Sequence, residues 1–169
     1  MGMIIHASAK FSDRLNCMIS LPGRRRPQTG NIDCWSADIV RAYGVGDCAL
    51  AMNDASLSIV VVPLKGVRTF EQFLPAFLER AARLFKAAGG FLETRNQTVI
   101  VLRRTDQQLI GTMNDAQRNA RYEIEYRRAQ DAGVDWDAVE DELNQIPFSA
   151  IDYILPNDEL ARVLASPFH

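Results

Sequence analysis

Histidine and cysteine are scarce in this chain, and their scarcity narrows what the protein can do. There are two histidines and three cysteines in 169 residues. Cys17, Cys34 and Cys48 form no CxxC pair and no Cys/His group with metal-ligand spacing, so neither a metal nor another cofactor is expected. An odd number of cysteines without a secretion signal predicts reduced thiols in a cytosol. The start, MGMIIHASAK, lacks the basic segment followed by a long apolar one that marks a signal peptide. No apolar run approaches the roughly 20 residues a membrane span needs. A phosphate loop of the form GxxxxGK[ST] is missing too. The formal net charge is only −2, so any attraction to nucleic acid would need a local patch. Together these features predict a soluble, cytoplasmic protein with no membrane partner.

What is present reads as a globular α+β domain. With 47% hydrophobic and 24% charged residues the composition is ordinary, and the length suits one domain with a sizeable core. Residues 3–7 are β-prone, and Ser8 can cap a helix near 9–18 whose Phe11, Leu15 and Met18 share a face. Residues 21–31 form a loop by their Pro and Gly content, carrying the basic cluster Arg24-Arg25-Arg26. Residues 35–43 fit a strand or a helix capped by Ser36. Gly44 and Gly46 then make a turn into a strand at 48–52, and Asn53-Asp54 reads as a hairpin turn. The run 57–64, with Ile59-Val60-Val61-Val62 at its centre, predicts a strand buried on both faces. An antiparallel meander is the expected arrangement.

Residues 69–88 predict a long helix. Thr69 and Gln72 match a capping box and Gly89-Gly90 supply the stop. Its apolar stripe, with Phe70, Phe73, Phe77 and Phe85, is expected to cover the sheet. Pro75 implies either a kinked first turn or a regular helix that starts there. A strand over 97–102 follows, with Arg103 and Arg104 at its end. The acidic stretch 131–142 predicts a helix with Trp136, Val139 and Leu143 inward and its carboxylates solvated. Phe148 to Leu155 is expected to run extended, and Asn157 to cap a last helix. The fold class is therefore α+β: a mostly antiparallel sheet covered by a long helix, with a C-terminal helical layer. The whole of 1–169 is expected to be a single domain, 3–110 mainly sheet plus helix 69–88 and 112–166 mainly helical.

The unusual polar residues gather in Gly111–Arg128. Thr112 or Asn114 is the expected N-cap, with Asp115 in the first turn of a helix over 112–130. Met113, Ala116, Ala120 and Ile124 mark its inner face. Arg121–Glu125 and Glu123–Arg127 are i,i+4 pairs, each contributing roughly 0.2–0.5 kcal/mol to an isolated helix. Asn114, Asp115, Arg118, Arg121, Tyr122 and Tyr126 form a polar platform whose Arg and Tyr content matches that of interface hot spots. The plain alternative is a half-buried helix with a salt-bridged outer face. His6, in a strand, reads first as structural and second as a general base.

Several short motifs carry a resemblance. Trp35 with Cys48-Ala49-Leu50-Ala51-Met52, the strand end Val60-Val61-Val62-Pro63, Gly111-Thr112-Met113-Asn114-Asp115, and Leu143-Asn144-Gln145-Ile146-Pro147-Phe148-Ser149 resemble an uncharacterised family of small bacterial proteins, a domain of unknown function. The resemblance implies a strand at 35–43 and draws attention to Met113–Asp115 and the 144–149 crossover. It supplies no catalytic residues.

Two functions follow as expectations. The first is a non-catalytic intracellular interaction or regulatory protein that binds an unidentified protein partner, or a second copy of itself as a homodimer, through the helix 112–130 surface. The second is a small nuclease- or toxin-like protein that acts on a phosphodiester with His6, Tyr122, Arg121 and the Arg24–Arg26 loop. The acidic C-terminal half disfavours nucleic acid as the partner. A small-molecule carrier, with its pocket between sheet and helices, is a third reading.

Overall fold

The computed structural model describes residues 2–20, 31–95, 97–131 and 133–166. The Arg24–Arg26 loop lies outside these residues. Five strands form one sheet in the order β4-β3-β2-β1-β5, with β1 at Gly2–Ala7, β2 at Cys34–Ala42, β3 at Gly46–Asn53, β4 at Ile59–Pro63 and β5 at Thr98–Arg103. The 35–64 meander is present as the antiparallel run β2-β3-β4. β1 pairs in parallel with both β2 and β5, which makes the sheet mixed. Residues 35–43 are thus a strand.

Helices cover both faces, so the molecule is an α+β sandwich of three layers. On one face lie α1 (Ala9–Leu15), α2 (Phe70–Ala87) and α5 (Pro156–Leu164), packed over Ile5, Trp35, Ala51 and Val60. On the other lie α3 (Gln107–Gln130) and α4 (Trp136–Leu143), packed over Val40, Leu50, Met52 and Val61. Ile59 to Val62 are all buried, as a strand sandwiched between two layers requires. The aromatic row of α2 is core: Trp35 meets Phe77 edge-on with ring centroids 5.2 Å apart, and Phe11 meets Phe73 at 5.3 Å.

The punctuation of α2 follows its sequence. Thr69 Oγ1 accepts from the Gln72 N–H, and Gln72 Oε1 reaches back to the Arg68 N–H. At the far end Gly89, with φ +81°, lets the Gly90 N–H reach the Phe85 carbonyl and the Gly89 N–H reach that of Lys86. This double closure needs the left-handed backbone that glycine adopts without steric cost. Pro75 lies inside the helix, which begins at Phe70 and not at the proline.

Four boundaries differ from expectation. α3 starts at Gln107, capped by Asp106, whose carboxylate accepts from the Gln108 and Leu109 N–H groups. Thr112 and Asn114 are therefore inside the helix and cap nothing; a carboxylate about two turns earlier outcompetes them. α1 stops at Leu15 because Asn16 turns left-handed, which leaves Met18 91% exposed rather than in the core. Residues 148–155 are not extended: Ser149–Ile151 make a 3-10 turn and Asp152 and Tyr153 take positive φ. Finally α5 begins with Pro156 at its first position, after Leu155, so Asn157 is not the cap.

The acidic helix holds the largest surprise. Glu140 and Asn144, four residues apart at the end of α4, point at the free edge of β4. Asn144 Oδ1 accepts from the Ile59 N–H at 2.7 Å and its Nδ2 donates to the Ile59 carbonyl at 2.9 Å. Glu140 Oε1 accepts from the Val61 N–H at 2.7 Å. Two side chains thus do what a sixth strand would do, and seal an edge otherwise open to pairing. Glu140 is buried, not solvated, and burial raises its pKa despite the Val61 N–H and the Arg80 and Arg83 guanidiniums of α2 beside it.

Candidate functional site

The chain leaves two adjacent parallel strands toward opposite faces of the sheet. β1 ends at Ala7 and feeds α1 on one face; β5 ends at Arg103 and feeds α3 on the other. β2 continues past the end of β1, since its Ala37 pairs with Ala7. A crevice opens beyond the carboxyl end of β1, where the two helices diverge. In open sheets built from parallel strands this is the position where ligands bind.

That crevice is a groove of about 850 Å³. Its floor is Ile39, Val40 and Arg41 of β2 with Asp47 of β3. One wall is Lys10, Asp13 and Arg14 of α1, and the other is Asn114, Gln117, Arg118 and Arg121 of α3. Five cationic side chains face two carboxylates in a chain whose net charge is −2. Asp47 is shared by Arg14 Nε at 3.0 Å and Arg41 Nε at 2.8 Å. The Arg41 hydrogen bond, helped by Arg14, holds the Asp47 carboxyl below its ordinary pKa. Arg14 also donates to the Val67 and Leu64 carbonyls, so it ties α1 to the sheet. Arg118 and Arg121 are 79% and 63% exposed in their side chains.

The six platform residues divide into two groups. Asn114, Arg118 and Arg121 line the groove. Asp115, Tyr122 and Tyr126 lie outside its lining, on the solvent side of α3. There the two tyrosine rings stack with centroids 6.3 Å apart. Arg118 contacts Asp115 at 3.6 Å, and Arg121 Nε donates to Glu125 Oε1 at 3.0 Å. The Tyr43 N–H and Arg121 both hydrogen-bond Glu125 and lower its pKa, pinning the β2–β3 turn against α3.

His6 belongs to a separate, buried network on the α3 side of the sheet. Its Nδ1 lies 2.9 Å from Asp54 Oδ2, and Ser36 Oγ donates to Asp54 Oδ1 at 2.8 Å. Two residues further along the strands, Asp38 accepts from Ser8 Oγ at 2.6 Å and from Arg104 Nη2 at 2.8 Å. Arg104 therefore turns into the fold and does not stand free at the start of α3. The structure does not bring His6, Arg121 and Tyr122 together: one is buried, one lines the groove, and one is exposed on the helix.

Sequence reasoning missed the α1 wall and the floor. Lys10 and Arg14 are four apart on a short helix, a spacing that does mark a shared face. Nothing local ties that face to Arg118 and Arg121 more than 100 positions away. Among the described residues no group of three or more His, Cys, Asp or Glu side chains could hold a metal ion, and no helix is long and apolar enough to cross a membrane. A family model described as a domain of unknown function (DUF6933) matches residues 4–159. No curated protein and no solved structure matches the chain.

Proposed function

Because this chain belongs to the family described as a domain of unknown function (DUF6933), its function has to be read from its own groove, and we propose a non-catalytic interaction or regulatory protein that engages a protein partner through the α3 wall of that groove. The observation that carries this reading is the convergence of Asn114, Arg118 and Arg121 with Lys10 and Arg41 beyond the end of β1. None of these side chains is a hydroxyl or thiol nucleophile, and the groove lining contains no histidine to serve as a base near neutral pH. Arginine and amide groups on a half-apolar floor suit recognition, because they fix orientation without driving bond cleavage. The three cysteines are in the thiol form, two of them buried, which fits a reducing cytosol as the place of action.

Tagged capture from a lysate of the source cells, wild type beside Arg118→Glu/Arg121→Glu, tests the proposal. A stoichiometric partner present with wild type and lost with the variant supports it. Identical capture by both proteins removes it.

The nuclease-like alternative draws on one observation, the His6–Asp54 contact, which orients an imidazole as a base requires. Phosphodiester cleavage by the wild type that disappears in His6→Gln would favour it over the interaction reading.

A further inference from the structure

We infer that the groove takes a short acidic segment of the partner protein, an extended peptide whose carboxylates meet Lys10, Arg118 and Arg121. The inference rests on the groove reading above and adds the chemistry of the occupant. Asp47 is already held between two arginines, and Arg14 is committed to backbone carbonyls, so neither is available to a ligand. The remaining positive charge lies at the mouth, on exposed side chains from two helices that face each other across the groove. On the α3 wall Asn114 offers both an amide donor and an acceptor, the complement of a peptide backbone. Ile39, half-buried on β2, gives the floor one apolar contact for an aliphatic side chain. The volume suits a few residues and not a folded domain.

A nucleic-acid strand fits this arrangement less well. Asp13 stands in the α1 wall, and Asp115 and Glu125 accompany the two arginines on α3. A continuous track of phosphates would carry a charge past every one of these carboxylates, whereas a short peptide sets its few carboxylates opposite Lys10, Arg118 and Arg121 and its uncharged residues opposite the acids.

The test is fluorescence anisotropy with a labelled oligoglutamate peptide carrying a central leucine. Labelled oligolysine and single-stranded DNA serve as the other probes, at low and at physiological salt. Proteins are the wild type, Arg118→Glu/Arg121→Glu, Lys10→Glu from the opposite wall, and Lys86→Glu on α2 outside the groove. Oligoglutamate should bind the wild type and Lys86→Glu alike, and bind both groove variants roughly ten-fold or more weakly. Thermal melts establish that the variants fold, and the two walls provide independent variants. Absence of oligoglutamate binding at low salt, equal binding by the groove variants, or tighter binding of DNA each overturns the inference. If oligoglutamate fails while lysate capture is still lost in Arg118→Glu/Arg121→Glu, the groove reading survives and only the acidic chemistry falls. Unchanged capture in that variant removes both.

Discussion

Replacing Asn144 by leucine asks whether α4 completes the β4 edge. In the wild type the Asn144 amide satisfies both backbone groups of Ile59, at 2.7 and 2.9 Å, and all three groups are buried. Leucine matches the branching and heavy-atom count of asparagine but offers neither donor nor acceptor, so no cavity opens and the loss is mainly polar. Leaving a buried donor or acceptor without a partner costs about 1–3 kcal/mol each. Two such groups give a destabilisation of about 2–6 kcal/mol, a large share of the roughly 5–15 kcal/mol that holds a domain of this size together. In a urea titration that corresponds to a midpoint about 1–2 M lower with an unchanged slope. Glu142→Leu, an exposed position on the same helix, controls for added hydrophobicity. A shift for Asn144→Leu below about 0.5 kcal/mol would refute the argument, because it would mean that water replaces the amide at no cost. A newly open β4 edge should also make the variant associate at high concentration, which light scattering reads directly.

Further expectations concern titration, thiol reactivity and the surface. Glu140 has its pKa raised by burial, so the folded protein binds its proton more tightly than the unfolded chain does. That contribution to stability is full below the ordinary value of 4.5 and is lost as pH rises through the folded pKa, so Glu140→Gln should flatten this part of the curve of urea midpoint against pH. Asp47 has the opposite sign. Its lowered pKa favours the fold above the ordinary value of 3.8 and the benefit is lost as pH falls through the folded pKa, so Asp47→Asn should be less sensitive to acid than the wild type. Burial pushes Cys34 and Cys48 up to about 12, so neither should react with a disulfide reagent near pH 8 until the protein unfolds. Arg118→Glu/Arg121→Glu should melt within about 2 kcal/mol of the wild type, since both side chains are exposed and the reversal only turns two weak ion pairs into two weak repulsions.

Elements were legible in this sequence wherever a local pattern decided them. The capping box at Thr69, the glycines at 89 and 90 and the β-branched run at 59–62 placed α2 and β4 to within two residues. Failures came where a second group, near or far in the chain, competed with the one the local pattern favoured. Thr112 and Asn114 are good caps, yet Asp106 begins the helix because its carboxylate meets two free N–H groups at once. The carboxylate of Glu140 looks solvated by charge alone, but it is held in place by Val61 of the sheet and by Arg80 and Arg83 of α2, none of which is near it in sequence. The candidate site was half legible. Asn114, Arg118 and Arg121 could be found from α3 itself, while Lys10 and Arg41 join them only through the parallel insertion of β1 beside β2. A meander pattern gives no hint of that insertion, because parallel pairing leaves no hairpin turn to read.

The same insertion separates what holds the fold from what the groove presents. Placing β1 between β2 and β5 sends α1 and α3 to opposite faces, and each helix then has an inner side fixed by the core and a flank turned to the crevice. Along α1, Phe11 and Leu15 pack into the core and Arg14 binds Asp47 and two carbonyls, whereas Lys10 is exposed. Along α3, Met113, Ala116 and Ala120 are fully buried, whereas Arg118 and Arg121 engage only carboxylates of their own helix. Changes at Lys10, Arg118 or Arg121 therefore alter the charge of the groove without opening a cavity or stranding a buried polar group, the two costs that make most substitutions expensive. Changes at Arg14 do both at once, since the guanidinium fills space and satisfies Asp47. The charge of the groove can thus be set at three surface positions while the scaffold that presents them stays the same.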